Sequence, residues 1–235
     1  MKPVTTPRTQ PTSSAAKARG AAATAVPGLR ARRAAERRAA IVDAALDLFS
    51  SRGFAATRME DVAAAAGVAK GTVYLNFTDK EALFEGIVRT VIGPTVNEIQ
   101  AVDFAAIPCV REAIERVALP GIRELTTSRR GDVMRLIVSE GERFPRLAEF
   151  YYSEVIGPGV VQLRRLLHRA VETGEIADAS LAEFPHLLVA PVFLAVLWHG
   201  LYRRLAPLDV EGLLAAHLDV LFGPPRRASR RSDPP

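Results

Sequence analysis

Residues 70–76 read Lys-Gly-Thr-Val-Tyr-Leu-Asn, a short run crowded with groups suited to one kind of chemistry. With Val73 turned inward, Lys70, Gly71, Thr72, Tyr74, Leu75 and Asn76 remain outward. This set is short, mostly polar, and able to bond phosphate oxygens or base edges, as a helix lying in the major groove of duplex DNA must do. No comparable constellation points to catalysis. The sequence has no nucleophile elbow and no glycine loop that could cradle a phosphate. His168, His186, His199 and His217 are too widely spaced for any two to share a helical turn, and Cys109 is the single cysteine. A metal site is therefore not expected, and an intramolecular disulfide is excluded.

The elements that must hold residues 70–76 in place can be read from the flanking sequence. Ile41, Ala44, Ala45, Leu48 and Phe49 recur at helical spacing, and Gly53 follows as a stop. Thr57-Arg-Met-Glu60 has the form of a capping box opening a short helix, which runs through Val62 to about Ala66 and ends at Gly67. A second short helix spans about Lys70 to Phe77. Ala63 and Ala66 allow the two to approach closely, and Val62, Val68, Val73 and Phe77 form the seam between them. Thr78-Asp-Lys-Glu81 is another capping box, starting a longer helix with Leu83, Phe84, Ile87, Val88 and Val91 on its apolar side. Gly93-Pro94 interrupts that helix.

The pattern Phe49, Arg52-Gly53-Phe54, Thr57, Val62-Ala63, Ala66-Gly67-Val68, Lys70-Gly71-Thr72-Val73-Tyr74, Phe77 and Asp79-Lys80-Glu81-Ala82-Leu83 closely resembles the DNA-binding domain of the tetracycline-repressor (TetR) family. The resemblance implies DNA contacts at Lys70, Gly71, Thr72, Tyr74 and Asn76, with Lys80 reaching phosphate and Arg58 a further candidate. Gly71 would let the backbone approach closely, Thr72 could donate to phosphate or meet a thymine methyl, and Asn76 could pair with adenine. Lys80 falls in a first helical turn, where free N–H groups also attract phosphate. Tyr74 has a lesser alternative as a pure packing residue, and Asn76 could equally be a solvated or capping one. Ala69 departs from the family pattern, which has a small hydroxyl residue before the lysine. The helix thereby forgoes a side-chain N-cap, at a cost of about 1 kcal/mol.

Beyond residue 95 helices are expected near 108–127, 131–142, 145–156, 158–173, 180–203 and 209–222, with a kink or break at Pro120, Pro185 and Pro191. Leu213, Leu214, His217, Leu218 and Leu221 form one stripe, and Phe193, Val196, Leu197 and Leu201 another; such stripes serve a dimer interface or an intramolecular core equally well. By resemblance to a multidrug-type (AcrR-like) branch, this region is a helical regulatory domain that dimerises and encloses a small-molecule pocket. Met134, Phe144, Phe150, Tyr151, Tyr152 and Trp198 are the bulky candidates to wall it, although core packing is the commoner use of such residues.

Charge is unevenly placed. Residues 1–38 carry a net +8, residues 223–235 a net +3, and the intervening body a net −6. Basic ends on a mildly acidic body would add attraction to a polyanion, or merely solubilise. The expectation is an all-α protein. It comprises a disordered basic arm at 1–34, a three-helix helix-turn-helix domain at 35–92 with the motif at 58–77, a larger helical ligand-binding and dimerisation domain at 93–222, and a disordered basic tail at 223–235. No apolar run is long enough for a bilayer and no secretory signal stands at the N-terminus, so a cytoplasmic protein is expected. The implied function is that of a homodimeric repressor, not an enzyme, which needs no cofactor and leaves a pseudo-palindromic operator when a small molecule binds. The alternatives are a ligand-independent regulator or activator, and a helical protein-interaction module whose helix-turn-helix is vestigial.

Overall fold

Six side chains of the first helix leave water together: Ile41, Val42, Ala45, Leu46, Leu48 and Phe49. They are the floor on which the N-terminal half is built. The computed structural model describes residues 28–223. In chain order its helices are α1 (Leu29–Arg52), α2 (Met59–Ala65), α3 (Lys70–Asn76), α4 (Lys80–Val91), α5 (Gly93–Gln100) and α6 (Val110–Thr127). They are followed by α7 (Arg129–Glu140), α8 (Pro145–Tyr151), α9 (Gly157–Glu172), α10 (Ser180–Glu183), α11 (His186–Tyr202) and α12 (Val210–Phe222). A π-helical turn, Tyr152–Ile156, joins α8 to α9 without a break in the helical path. Among the described residues there is no strand and no helix long and apolar enough to cross a membrane.

Several boundaries differ from the sequence expectation, each for a local reason. Helix α1 starts at Leu29, so residues 29–34 are helical rather than disordered. Ala and Arg fill that stretch, and both are good helix formers. The expected disorder at 1–27 and 224–235 lies outside the described residues. Both capping boxes slip by one residue. Thr57 is fully buried and donates its hydroxyl to Gly53 O at 2.9 Å, so the cap of α2 falls to Arg58, whose N–H meets Asp61 Oδ2 at 3.0 Å. The cap of α4 is Asp79, which accepts from Ala82 N at 2.7 Å. Pro94 does not end the helical path but seeds α5 from its first turn, where proline's missing N–H costs nothing.

Of the three later prolines only Pro185 divides a helix, separating α10 from α11. Pro120 and Pro191 lie inside helices. Pro191 has no N–H for Leu187 O, and that carbonyl is met instead by His217 Nε2 of α12 at 2.9 Å. The side chain of one helix thus repairs the ladder of its neighbour.

Two large apolar cores follow, with a small third cluster around Val192 and Leu214. The first gathers α1 to α4 and runs on without interruption into Val133 and Leu136 of α7 and Leu147 and Tyr151 of α8. The second joins Val110 and Ile114 of α6 to Leu166, Leu167 and Ala170 of α9, with Leu188 of α11 and Leu218 of α12. Helix α7 lies alongside α1 in parallel and is pinned at both ends. Arg129 pairs with Asp47 and donates to Asp43 O at 2.7 Å, while Glu140 Oε1 accepts from Phe54 N at 3.1 Å.

Helix α4 meets the C-terminal end of α3 through an absent side chain. A Cβ on Gly86 would come within 2.3 Å of the buried Phe77 ring. Gly86→Ala should therefore lower thermal stability, since overpacking costs about 1–3 kcal/mol against about 1 kcal/mol regained from helix propensity. An unchanged melting temperature would show that the Phe77 ring yields freely.

Candidate nucleic-acid interface

Helix α3 has seven residues, too few to persist alone in water. Val73 at zero exposure and Phe77 just past its end anchor it to the first core, against Val62 and Met59 of α2. The turn before it depends on Gly67, whose φ of +65° suits a residue without Cβ. Val68 N then donates back to Ala63 O at 3.0 Å, which closes the turn. Ala69 stands at the N-cap with no side-chain bond, as its type requires.

With its inner face sealed, α3 presents the rest outward. Lys70, Gly71, Tyr74 and Leu75 are exposed, and Thr72 and Asn76 are half-buried. Nothing lies within 4 Å of a Cβ built on Gly71, so that face of the backbone is open. Tyr74 is 42% exposed, its ring partly packed and its hydroxyl available. The Asn76 amide donates to Thr72 O at 2.8 Å, which leaves its oxygen free. Leu75, at 89% exposure, is the largest apolar group held in water on this helix. Sequence reading placed it outward but gave it no role; an apolar contact with a thymine methyl suits it.

The two flanking cations behave differently. Arg58 is exposed at the start of α2. The Lys80 ammonium donates to Phe54 O at 2.8 Å and Ala55 O at 3.1 Å and sits 4.8 Å from the Phe54 ring. Two of its three protons thus hold the loop between α1 and α2, and one remains for an anion.

Two residues that the sequence did not single out alter the charge of this surface. Glu60 of α2 pairs with Lys70 at 2.6 Å, both side chains being open to solvent. That bond holds the Glu60 carboxyl below its ordinary pKa and the Lys70 ammonium above its own. Arg38 of α1 stacks 4.2 Å above the Phe77 ring and donates to Asn76 O at 3.2 Å, so α1 grips the C-terminal end of α3. The only early signal for Glu60 was its place in a capping pattern that the fold does not use.

The six bulky candidates for a ligand wall are dispersed among the described residues, and of them Phe150 lines a groove of about 240 Å³ with Phe84, Arg146 and Leu147. Phe144 packs edge-on to Phe54 at 4.8 Å, and Phe150 lies under Arg89. Tyr151 is buried in the first core, its hydroxyl pKa pushed up to about 12 by desolvation. Met134 is buried on α7, and Tyr152 is 61% exposed. Trp198 stacks on Tyr202 and donates to Ala206 O. A groove of about 430 Å³ runs elsewhere, between Val88, Val96 and Asn97 on one side and Ser153, Val155 and Pro158 by the π-helical turn on the other.

Comparison with known proteins agrees with this geometry. Residues 41–87 match "Bacterial regulatory proteins, tetR family", and residues 108–216 match "Tetracyclin repressor-like, C-terminal domain". The chain is 26% identical over 162 residues to an uncharacterized HTH-type transcriptional regulator, YdeS, of Bacillus subtilis, covering 68% of this chain and 78% of that protein. Among solved structures it is similar to NalD, the secondary repressor of the MexAB-OprM multidrug efflux pump in Pseudomonas aeruginosa. The TM-score is 0.65 at 22% identity, over 80% of this chain and 98% of that one. A SmeT–triclosan complex aligns with the same TM-score, 0.65, at 23% identity, over 79% of this chain and 89% of that one. At these identities the two structures speak for the fold.

The Glu60–Lys70 pair yields a test in which a substitution improves binding. Glu60→Gln removes a negative charge facing phosphate and frees the lysine. Duplex affinity should rise severalfold, and the slope of log K against log salt should steepen by up to about one. Weaker binding by this variant, measured by fluorescence anisotropy across a salt series, would contradict the placement of Lys70 against the DNA backbone.

Proposed function

Because the chain belongs to the TetR family of DNA-binding transcriptional regulators, we propose that it is a homodimeric repressor that leaves a pseudo-palindromic operator when a small molecule binds. The observation that carries the reading is the outward face of α3. Lys70, Gly71, Tyr74 and Leu75 stand in water while Val73 between them is sealed. Thr72, Tyr74 and the free proton of Lys80 would engage phosphate. Asn76 and Leu75 would meet base edges, and Arg58 would add a contact from α2.

Two copies are needed because one short helix reads too few bases, and two recognition helices about 34 Å apart fit successive major grooves. A surface suited to pairing exists on α11, where Leu187, Leu194 and Leu201 are 48–68% exposed and lie on one helical ridge. Gly212, Ala216 and Val220 form a ridge of smaller residues on α12, all exposed. The partner stripe members Val196, Leu214 and Leu218 are buried within the chain, so the apolar residues of these helices divide between an inner and an outer face.

The effector would enter the groove beside the π-helical turn, which borders α4 at Val88 and Arg89. Its lining sets Val88, Val96, Val155 and Pro158 beside Arg89, Asn97, Gln100, Ser153 and Glu154, which favours a small molecule with an apolar body and hydrogen-bonding groups; the capture of triclosan by SmeT is consistent with that class. Such a molecule releases DNA only if it binds better to a conformer with wrongly spaced reading helices. Helix α4 is the natural lever, since it packs on α1 and carries Gly86 against Phe77.

Two measurements test this. Thr72→Ala and Tyr74→Ala should each weaken operator binding about tenfold or more while leaving the circular dichroism and melting temperature unchanged. The operator would first be found by footprinting on DNA that flanks the gene, and equal affinity in both variants would discard the assigned surface. Leu194→Glu should convert a dimer to a monomer in sedimentation and abolish operator binding. A wild-type chain that is monomeric at micromolar concentration would overturn the two-half-site reading.

A further inference from the structure

Helix α1 begins with twelve exposed residues, and the first of them to bond to the rest of the protein is Arg38. From Leu29 to Ala40 every residue is exposed, and the first buried side chain is Ile41. At 1.5 Å per residue this overhang is about 18 Å long. It reads Leu-Arg-Ala-Arg-Arg-Ala-Ala-Glu-Arg-Arg-Ala-Ala, with five arginines and one acid. It offers no apolar face for a protein partner, since apart from Leu29 its non-arginine positions are alanine and one glutamate. Among the described residues no carboxylate lies within 4.0 Å of Arg30, Arg32, Arg33 or Arg37, whereas the arginines of α7 are each paired with an acid: Arg129 with Asp47, Arg130 with Glu124 and Arg135 with Asp132.

The arrangement of these cations is ordered. Arg30, Arg33 and Arg37 follow one another at i, i+3 and i+7 and so share a helical face. Arg32 points away from that face, and Glu36 borders it beside Arg33. The root of the overhang is fixed by Arg38, which is held against the Phe77 ring and Asn76 O at the end of the reading helix. The basic helix therefore springs from the same end of the molecule as the residues of α3 that face outward. Arg30 to Arg37 spans about 10 Å of helix axis, which matches about three base-pair steps along the duplex axis at 3.4 Å each.

We propose that the free N-terminal turns of α1 are a second DNA-binding element, in which Arg30, Arg33 and Arg37 bind the phosphate backbone of the duplex flanking each half-site. This rests on the reading of α3 as the recognition helix and extends the footprint beyond it. The contacts are to phosphate alone, so they add affinity and salt dependence without changing which bases are preferred. Arg38 acts as the hinge pin that aligns the overhang with α3.

The test uses the full chain and a variant carrying Arg30→Ala, Arg33→Ala and Arg37→Ala, which keeps helix propensity and removes no intramolecular contact. A duplex is first recovered by selection from a random-sequence library with the wild-type chain. The triple variant should select the same sequence and melt at the same temperature. Its affinity for that duplex at 0.1 M salt should fall about ten- to hundredfold, and its salt slope should flatten by about 2 to 3. Hydroxyl-radical protection should shorten at both outer edges of the site. On a duplex trimmed to the protected core, wild-type and variant should bind alike. An unchanged salt slope and footprint in the variant would overturn the proposal, as would a changed base preference, which would mean that the overhang reads bases. Failure of the wild-type chain to select any sequence would instead overturn the recognition role of α3, so the two failures are distinguishable.

Discussion

Phe54 is the residue on which the reading helix ultimately depends. Its ring lies 5.0 Å from Phe49 and 4.8 Å from Phe144, so it joins α1 to the segment that precedes α8. The Lys80 ammonium covers it from the side of α4. Its backbone is held just as firmly, the N–H by Glu140 of α7 and the carbonyl by Lys80. One loop residue thus fixes the relative placement of α1, α4, α7 and α8, and α2 and α3 hang from the same core. The polar bonds matter because Phe54 is itself fully buried. Losing one would strand a backbone group at a cost of about 1–3 kcal/mol, whereas the aromatic contacts set distance but not register.

That arrangement ties the helix-turn-helix to the helices that follow it. The chain path changes character at Ile92–Gly93, yet the apolar core passes across that point into Val133, Leu136, Leu147 and Tyr151. A displacement of α7 or α8 cannot leave α1 and α4 untouched, because close-packed cores transmit shifts rather than absorb them. Gly53, with φ of +84° and Glu140 Oε1 2.8 Å from where its Cβ would stand, sits at this junction. Any side chain there would be strained and would displace the carboxylate at once.

What could be read in the sequence was local. The turn at Gly67, the seam of Val62, Val73 and Phe77, and the outward set on α3 all follow from spacing within about twenty residues, and the structure keeps them. The contacts that hold α3 in place join residues 38 and 86 positions apart, Arg38 to Asn76 and Glu140 to Phe54, and no periodicity encodes them. The capping boxes slipped for a related reason. Thr57 has the right type for an N-cap, but it is buried and the carbonyl of Gly53 claims its hydroxyl. Pro191 failed to break α11 because His217, from another helix, meets the carbonyl it leaves bare. The aromatic residues grouped as a pocket wall share a composition but not a place, since Tyr151 points into the core and Tyr152, one position on, into water.

The π-helical turn between α8 and α9 has a consequence for how the two cores are wired together. Residues 145–172 form one unbroken helical path, but the widened turn inserts a step in its phase. Before the step the rod turns Leu147 and Tyr151 toward the first core; after it, Leu166, Leu167 and Ala170 face the second. The rod behaves as a camshaft with two lobes set at different angles. A rotation of a few degrees at one lobe must reappear at the other, and a single added or lost residue in the turn would retime the whole shaft by about 100°. In this protein the angular offset between the two cores is written in the length of one turn.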